Sequence, residues 1–379
     1  MTSALRILEV THYMPPHVGG IEMVAESLVR GLGARGHDVQ WLSSAVSAPR
    51  GREGDRIRVP AWNVLEEKGG VPYPLWAPSG LVELDKAVAA ADVVHVHDCL
   101  YMGSAAAAAS AKRHGKPLLV TQHIAMVPYG KMLDRVQRLA YETLGRTVLS
   151  MADALVACAP HVPEFFREVG IRKPFTLIRN GIDDGRFSLV DSEPRAKLRA
   201  KLGIAADAKV LLFSGRLVAK KGVHHVAALQ RRLESEGKEV VLVVAGDGAL
   251  AHLLTDLPRT VRLGSVPASQ MPETYSIADV LVLPSHGEGL PLGVQEALFS
   301  GVRVVVSDDP AFRDALTGMT GVRFAADDDA LYANVVESFE EGPAREAVRA
   351  GAVALWGLDG FLDAYEAELV RLRSRSSKG

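Results

Sequence analysis

The chain has 379 residues, 48% hydrophobic and 23% charged, which indicates a globular protein too long for a single core of ordinary size. Its formal net charge of −2 gives no electrostatic footprint for nucleic-acid binding. The two cysteines, Cys99 and Cys158, lie in separate apolar contexts, which argues against a disulfide framework or a zinc site and favours a cytoplasmic protein.

Short strand-like runs alternate with helical patterns along the chain, which predicts parallel sheets covered by helices on both faces. In the first half we expect strands at Arg6–Val10, Asp38–Leu42, Val93–His97, Leu118–Gln122, Ala154–Cys158 and Phe175–Ile178. In the second half we expect them at Val210–Ser214, Val240–Ala245, Val261–Gly264, Val280–Leu283 and Arg303–Ser307. The first of these runs begins almost at the N-terminus, without the pattern of a signal peptide, and no apolar run is long enough to span a bilayer.

The stretch Asn180–Pro194 is rich in Gly, Asp, Ser and Pro and separates the two series of strands. We therefore expect an N-terminal domain over 1–185 and a C-terminal domain over 190–355. A final helix is predicted over Trp356–Leu372, with Phe361, Leu362, Tyr365, Leu369 and Leu372 on one side. The polar tail Arg373–Gly379 is expected to be disordered.

Two glycine patterns follow the first strand. Gly19 and Gly20 precede a helix that begins near Ile21, so a ligand could approach the backbone closely and meet the positive end of that helix. The later run Gly31–Gly36 has the spacing G-x-G-x-x-G, but it ends a helix instead of opening one. It is therefore predicted to be a helix C-cap and turn.

Histidines mark two strands of the first domain. His95 and His97 share one face of their strand and could form a metal site with Asp98, but a structural or ligand-facing role is the favoured interpretation. His123 follows the next strand, where it either caps the sheet edge or faces a ligand.

The segment Lys131–Met151 is predicted to be a helix with a basic and an apolar stripe. The basic stripe contains Lys131, Arg135, Arg138 and Arg146, and the apolar one contains Met132, Val136, Leu139 and Thr143. The favoured interpretation is a helix that packs on the core through its apolar stripe. The alternative is a helix that rests on anionic lipid.

The run Gly215–Gly222 follows the first strand of the second domain and contains Arg216 and Lys221. An arginine fork matches phosphate oxygens and a lysine supplies a point charge. Two cations on a strand-end loop ahead of a helix predict a clamp for a diphosphate. A solvated basic turn is the alternative.

The stretch Pro284–Ala297 joins a buried strand to a helix predicted over Leu292–Ser300. Glu288 lies in the loop and Glu296 about two turns into the helix, with seven residues between them. The carboxyl ends of parallel strands are where ligands bind, and the helix start suits a phosphate or a sugar hydroxyl. Asp327–Asp329 precede another helix and are predicted to supply N-terminal charge there, not to hold a metal ion.

In this order the motifs resemble those of the retaining GT-B glycosyltransferases of family 4, also called glycosyltransferase group 1. The resemblance spans nearly the whole chain and rests on the Gly-Gly loop, the Glu-x7-Glu spacing and, between them, Gly36–Val39, Arg179–Asp183, Gly215–Gly222, Gly246–Gly248 and Leu263–Val266. The chain departs from the family after Asp308, where Asp309–Asp314 stands in place of a Gly-Gly pair and a glutamate.

The resemblance implies an α/β fold of two Rossmann-like domains facing each other across a cleft, with the helix 356–372 returning to the first domain. It implies transfer of a sugar from a nucleoside diphosphate sugar to an acceptor hydroxyl, with retained configuration and the leaving diphosphate as base on the same face. No metal and no other cofactor are expected. The acceptor, a glycan, a glycolipid or a small molecule, stays open, as does contact with the inner face of a membrane.

The resemblance also assigns roles to individual residues. It implies that His123 and Glu288 are catalytic. The donor diphosphate would contact Gly19, Gly20, Arg216, Lys221 and Leu290. The nucleoside would contact Ser265, Val266 and Glu296.

Two other functions remain open. One is a nucleotide-sugar 2-epimerase of the same fold, and the other is a protein that binds a nucleotide sugar without catalysis. The Glu-x7-Glu spacing and the clamp pattern favour transfer over epimerisation. The presence of Arg216, Lys221, Glu288 and Glu296 together argues against a degraded enzyme.

Overall fold

A computed structural model describes residues 4–17, 19–46, 49–69, 73–126, 131–182, 185–286 and 291–376. The chain forms two compact units. The N-terminal unit comprises Met1–Gly181 and Asp359–Gly379, and the C-terminal unit comprises Ile182–Leu358. The boundary between them lies inside the Gly- and Pro-rich stretch Asn180–Pro194.

The N-terminal unit is built on an eight-stranded sheet in the order β10-β9-β8-β7-β1-β2-β4-β3. Its strands are β1 (Arg6–Val10), β2 (Asp38–Ser44), β3 (Gly51–Glu53), β4 (Arg56–Val59), β7 (Val93–His97), β8 (Leu118–Gln122), β9 (Ala154–Ala157) and β10 (Phe175–Leu177). β5 (Ala61–Trp62) and β6 (Leu75–Trp76) pair separately. All neighbours in the large sheet are parallel except β3 and β4.

In the described part of this unit, eight helical segments precede its C-terminal helix. They are α1 (Gly20–Ala34), α2 (Val64–Gly69), α3 (Pro78–Ala90), α4 (Met102–Arg113), α5 (Lys131–Ala140), the π-helical turn Tyr141–Gly145, α6 (Arg146–Met151) and α7 (His161–Glu168). The run Gly31–Gly36 does end α1, as predicted. The Gly36 amide donates to the Gly33 carbonyl at 3.0 Å and the His37 amide to the Leu32 carbonyl at 3.2 Å, the two bonds of a Schellman cap.

The C-terminal unit has a six-stranded parallel sheet in the order β13-β12-β11-β14-β15-β16. Its strands are β11 (Lys209–Ser214), β12 (Val240–Ala245), β13 (Thr260–Gly264), β14 (Val280–Leu283), β15 (Arg303–Ser307) and β16 (Val322–Ala325). Its α-helices are α8 (Ser192–Lys201), α9 (Val223–Ser235), α10 (Met271–Ile277), α11 (Leu292–Phe299), α12 (Pro310–Leu316), α13 (Asp328–Glu340) and α14 (Arg345–Trp356). Short 3-10 turns lie at Ala219–Lys221, Ala251–Leu254 and Ala268–Gln270.

The last helix, α15 (Leu358–Ser376), packs on the N-terminal unit. The five apolar side chains predicted to share one side are all buried: Phe361, Leu362, Tyr365, Leu369 and Leu372. The predicted bounds were wrong at both ends, because Trp356 closes α14 and the supposedly disordered tail stays helical to Ser376. An ion pair of 3.7 Å between Arg373 and Asp92 helps to hold that end.

The segment Lys131–Met151 is helical as predicted, but its favoured packing was wrong. The apolar side chains of α5 face outward: Met132 is 76% exposed, Val136 59% and Leu139 60%. Asp134 and Gln137 take the more protected positions. In the part of the chain that the structure describes, no helix is both long enough and apolar enough to cross a bilayer.

Candidate functional site

Four neighbouring strands of the C-terminal unit end at one edge of its sheet. In spatial order they are β13, β12, β11 and β14, so the parallel pairing brings together the segments that follow them. These segments are Ser265–Val266, Gly246–Gly248, Gly215–Gly222 and Pro284–His286. Motifs up to 71 residues apart in sequence therefore meet at the edge where parallel sheets bind ligands.

The loops after β11 and β12 are in direct backbone contact. The Gly215 amide donates to the Ala245 carbonyl and the Leu217 amide to the Asp247 carbonyl, both at 2.9 Å. A Cβ atom on Gly246 would lie 1.9 Å from the Gly215 carbonyl oxygen. Position 246 thus requires glycine, and the contact fixes the loop that carries Arg216.

The predicted clamp residues lie on that loop. Arg216 is exposed, and Lys221 is half-buried at the end of the 3-10 turn. The Lys221 side chain folds back along the loop, with Cδ and Cε 3.9 Å from where a Cβ atom on Gly215 would stand. The structure therefore brings the Lys221 side chain beside the residue that precedes Arg216.

The loop after β11 also touches the loop after β14. The His286 amide donates to the Lys220 carbonyl at 3.2 Å, and the Ser307 hydroxyl donates to the Ser285 carbonyl. Glu288 and Leu290, which we predicted to contact the sugar and the diphosphate, lie outside the described residues.

Glu296 is half-buried on α11, and the Tyr275 hydroxyl bridges its carboxylate and Ser214, the last residue of β11. The Tyr275 hydroxyl donates to Glu296 Oε2 at 3.0 Å, and Ser214 Oγ lies 3.4 Å from the same hydroxyl. Burial raises the pKa of Glu296, an effect that Tyr275 and Arg186 partly offset. Sequence reasoning missed Tyr275, which lies on another helix. When ionised, Glu296 can accept hydrogen bonds from vicinal hydroxyls.

Ser265 and Val266 follow β13 directly. Ser265 is exposed and Val266 half-buried. The Gly246 amide donates to the Gly264 carbonyl at 2.7 Å, which joins this strand end to the β12 loop. Both residues therefore lie at the same sheet edge as the loop Gly215–Gly222, the clamp loop, which follows a strand two positions away in the sheet.

In the N-terminal unit, Gly19 is the N-cap of α1 and Gly20 its first residue. Sequence reasoning missed Glu22, whose side chain is 2% exposed and lies 3.2 Å from His17. A Cβ atom on Gly19 would meet Glu22 Oε2 at 2.2 Å, whereas one on Gly20 would meet nothing within 4 Å. Burial raises the pKa of Glu22. A glutamate three residues after an N-cap is a capping-box spacing, a signal that could have identified it.

His123 lies at the end of β8 with both ring nitrogens engaged. Nε2 is 2.8 Å from His97 Nδ1, and Nδ1 is 3.4 Å from Cys158 Sγ. Burial, reinforced by the neighbouring histidines, lowers the pKa of His123 well below its ordinary value, so the ring is neutral. The His123 amide donates to Asp98 Oδ1 at 2.8 Å. Burial raises the pKa of Asp98 to about 7.

His95 and His97 contact Glu9, whereas the less favoured metal-site alternative had grouped them with Asp98. His95 Nδ1 lies 2.8 Å and His97 Nε2 3.0 Å from Glu9 Oε2, and all three side chains are fully buried. Their polar atoms lie within 4.8 Å of one another, as metal ligands would. The distances fit hydrogen bonds equally well. Glu9 was missed because it lies within an apolar strand pattern, although β1 pairs it with His95.

A cavity of about 780 Å³ lies in the C-terminal unit, but not at this site. It is lined by Lys209, Val240 and Thr260, the first residues of β11, β12 and β13. It therefore opens at the opposite edge of the sheet from the clamp loop. We place the functional site at the carboxyl edge, where the glycine-rich loops and Glu296 converge.

Comparisons with known proteins agree with this architecture. Residues 18–186 match the family model "Glycosyltransferase Family 4", and residues 194–352 match "Glycosyl transferases group 1". The chain is 30% identical to a glycogen synthase of Mycobacterium tuberculosis over 92% of this chain and 89% of that protein.

Solved structures support the fold. A sucrose-phosphate synthase from Thermosynechococcus elongatus superposes with a TM-score of 0.75 at 17% identity, covering 98% of this chain and 100% of that one. Anabaena HepE in complex with UDP-glucose gives 0.72 at 15% identity, covering 96% and 99%. The predicted α/β fold with two parallel-sheet domains of the GT-B class is thus confirmed. The chain belongs to glycosyltransferase family 4, the group 1 glycosyltransferases, and is a glycosyltransferase enzyme.

Proposed function

We propose that this enzyme transfers a sugar from a nucleoside diphosphate sugar to an acceptor hydroxyl with retention of anomeric configuration and without a metal ion. The observation that carries the proposal is that Arg216 and Lys221, on a loop held by backbone contacts, and Glu296, on α11, follow neighbouring strands that end at one edge of the sheet. HepE, similar in fold, binds UDP-glucose, which supports a nucleoside diphosphate sugar as donor.

Each part of the donor has a counterpart along this edge. The ribose hydroxyls would donate to Glu296, and the base would lie against Ser265 and Val266 after β13. The diphosphate, which the ribose joins to the base, would lie against Arg216 and Lys221 on the β11 loop. The three groups of residues follow β13, β14 and β11, whose carboxyl ends share one edge of the sheet.

The two cations also account for the chemistry. The bond from the anomeric carbon to the diphosphate oxygen breaks, and negative charge grows on the diphosphate. Arg216 and Lys221 stabilise that charge, as a preorganised cationic site does for a leaving group. The acceptor oxygen bonds to the anomeric carbon on the same face, and its proton passes to the departing diphosphate.

The remaining assignments are proposed on the family resemblance. Glu288 and Leu290 follow β14 in sequence, and on the resemblance Glu288 would hold the sugar hydroxyls and Leu290 would contact the diphosphate. Gly19 and Gly20, at the start of α1, would approach the diphosphate, and His123 would contact the transferred sugar. The ring of His123 is neutral and both of its nitrogens are hydrogen-bonded. His123 would therefore position the sugar and would not donate a proton to it.

We further propose an acceptor that is presented at a membrane. The outward apolar side chains of α5 lie on the same helix as the exposed Arg135 and Arg138. Arg138 also pairs with Glu142 at 3.1 Å, so Arg135 and Arg146 supply most of the attraction to anionic lipid. Apolar side chains flanked by cations suit the interface of an anionic bilayer. A glycolipid acceptor follows from this surface.

The test begins with a thermal-shift screen of UDP, GDP, ADP and dTDP sugars. A stabilising donor is then incubated without acceptor, where a 2-epimerase would convert it and a transferase would not. An acceptor panel follows. Donor binding with no turnover on any acceptor would favour the non-catalytic alternative.

A further inference from the structure

A chain of hydrogen-bonding side chains crosses the face of the N-terminal sheet that α15 covers. It runs through Tyr365, Thr121, His95, Glu9, His97, His123 and Cys158, with successive polar atoms 2.7 to 3.4 Å apart. Cys158 is also hydrogen-bonded to Tyr365, so the chain closes into a ring. Glu9 lies between His95 and His97, and His123 lies near the sheet edge.

The protonation states along the chain follow from Glu9. Burial opposes ionisation of Glu9, but His95 and His97 outweigh it and lower the pKa to about 2. The carboxylate can only accept hydrogen bonds, so both His95 Nδ1 and His97 Nε2 must carry a proton. Glu9 therefore sets which atom donates and which accepts in the hydrogen bonds from Glu9 to His97 and from His97 to His123.

The direction passes through His97. Burial lowers the pKa of His97, so its ring is neutral and carries one proton, on Nε2. His97 Nδ1 is then an acceptor, and the His123 nitrogen 2.8 Å away must be the donor. His123 is therefore the Nε2–H tautomer.

The contact made by the other ring nitrogen of His123, Nδ1, agrees with this assignment. Its Nδ1 is left as an acceptor and faces the Cys158 sulfur at 3.4 Å. Burial raises the pKa of Cys158, which stays a thiol and can donate. Both ring nitrogens of His123 are satisfied, so rotation or flipping of the ring would break two hydrogen bonds. The amide of the same residue is held by Asp98.

We propose that Glu9 is a positioning residue for sugar transfer, which through His97 fixes the tautomer and the orientation of His123. The proposal rests on the proposed contact between His123 and the sugar. Glu9 lies 114 positions before His123 in sequence and would act on it through His97. A small displacement of a group at a reacting centre can cost a large factor in rate.

Glu9→Gln tests the proposal, because an amide offers one acceptor oxygen and also two donors. With the amide nitrogen toward His97 Nε2, His97 carries its proton on Nδ1, which forces His123 Nε2 to become an acceptor. Long-range proton–nitrogen NMR of the imidazoles reports this tautomer change directly, and the signals of His123 are those missing in His123→Asn. We expect kcat to fall by about tenfold or more while donor Kd stays within about twofold.

Thr121→Val is the matched control. It removes the partner of His95 Nε2 and one partner of the Tyr365 hydroxyl, but leaves the hydrogen bonds from Glu9 to His97 and from His97 to His123 in place. The His123 tautomer and kcat should stay near wild type. If Glu9→Gln does not fold, His97→Phe cuts the same path one residue later and should lower kcat likewise.

Three results would overturn the proposal. One is an Nδ1–H tautomer of His123 in the wild-type protein. Another is an unchanged kcat in a folded Glu9→Gln or His97→Phe protein whose tautomer has changed. A third is stoichiometric bound metal that Glu9→Gln removes, which would make the cluster a metal site. The tautomer is measured without substrate, so failure of the proposed transferase reaction would leave that part of the result readable.

Discussion

Gly222 and Pro284 hold the clamp loop against the loop after β14. Gly222 has φ of +74°, and a Cβ atom at this position would lie 2.2 Å from the Pro284 carbonyl oxygen. The obstacle is backbone, so a larger residue at 222 must displace one loop or the other. The first of these loops carries Lys221, and Glu288 follows Pro284 in sequence.

Gly222→Ala should therefore damage both stability and binding. The left-handed backbone alone costs a non-glycine residue about 1–2 kcal/mol, and the clash adds to it. Gly237→Ala is the matched control, because Gly237 has φ of +69° but open space around a Cβ atom. Denaturant unfolding and nucleotide titration should show a larger loss for Gly222→Ala in both. Equal losses in the two variants would contradict the loop contact.

Arg216→Ala and Lys221→Ala should each weaken nucleotide binding. A hydrogen bond to a charged group contributes about 1.5–3 kcal/mol, which corresponds to a loss of roughly ten- to a hundredfold in affinity. Lys220→Ala is the control, since Lys220 is an exposed cation on the same turn. Calorimetric titration with the diphosphate checks this. A folded double variant that binds the diphosphate as tightly as wild type would contradict the assignment of Arg216 and Lys221 as the clamp.

Donor affinity should fall as the pH is lowered, and the fall should occur at a pH above the ordinary pKa of a glutamate. Glu296 must be ionised to accept from the ribose, and burial raises its pKa. Affinity is therefore full above that pKa and is lost as pH falls through it. Tyr275→Phe removes a hydrogen bond that favours the charged form, so it should move the loss to higher pH. Glu296→Gln should bind weakly at every pH. A wild-type affinity independent of pH between 4 and 8 contradicts this role for Glu296.

Asp98→Asn should gain thermal stability relative to wild type as pH rises. The pKa of Asp98 is about 7 in the folded protein against 3.8 ordinarily, so its contribution to stability is present below about 4 and lost as pH rises through 7. Asparagine does not titrate and tolerates φ of +60°. The melting-temperature difference between variant and wild type should therefore grow from pH 4 to pH 8. Asp55→Asn, at an exposed turn, should show no such trend.

Flotation on anionic vesicles tests the membrane surface. Val136→Asp should reduce retention at low salt, because it places charge in the outward apolar stripe of α5. Val82→Asp is the matched control, since Val82 on α3 is 55% exposed against 59% for Val136. If the wild-type protein does not float with anionic vesicles at low ionic strength, where attraction is strongest, the acceptor is not presented by a membrane.

Much of the fold could be predicted because parallel strands are continuous apolar runs. Central strands such as Val93–His97 and Val280–Leu283 were found with their observed bounds. The charged hairpin of β3 and β4 was missed, because Arg56 and Arg58 interrupt the apolar pattern at a sheet edge. The bounds of α15 were missed because its register depends on packing against α1, where Leu362 meets Gly31.

Residues of the candidate site could be predicted where they share one short stretch of sequence. They were missed where the contact joins residues that are far apart in the chain. Arg216 and Lys221 stand in one short run, so their proximity follows from sequence. Glu9 meets His97 only because β1 and β7 are neighbours in the sheet, and Tyr275 meets Glu296 from a different helix. The outward apolar stripe of α5 was also misjudged, since periodicity shows that a stripe exists but not which way it faces.

The central claim is transfer with retention by a cationic site that needs no metal. The most direct test is a proton NMR determination of the anomeric configuration of the product, formed from an α-linked nucleoside diphosphate sugar in excess EDTA. The account predicts an α-linked product at an unchanged rate in the chelator. A β-linked product, or turnover abolished by EDTA and restored by a divalent ion, would contradict it.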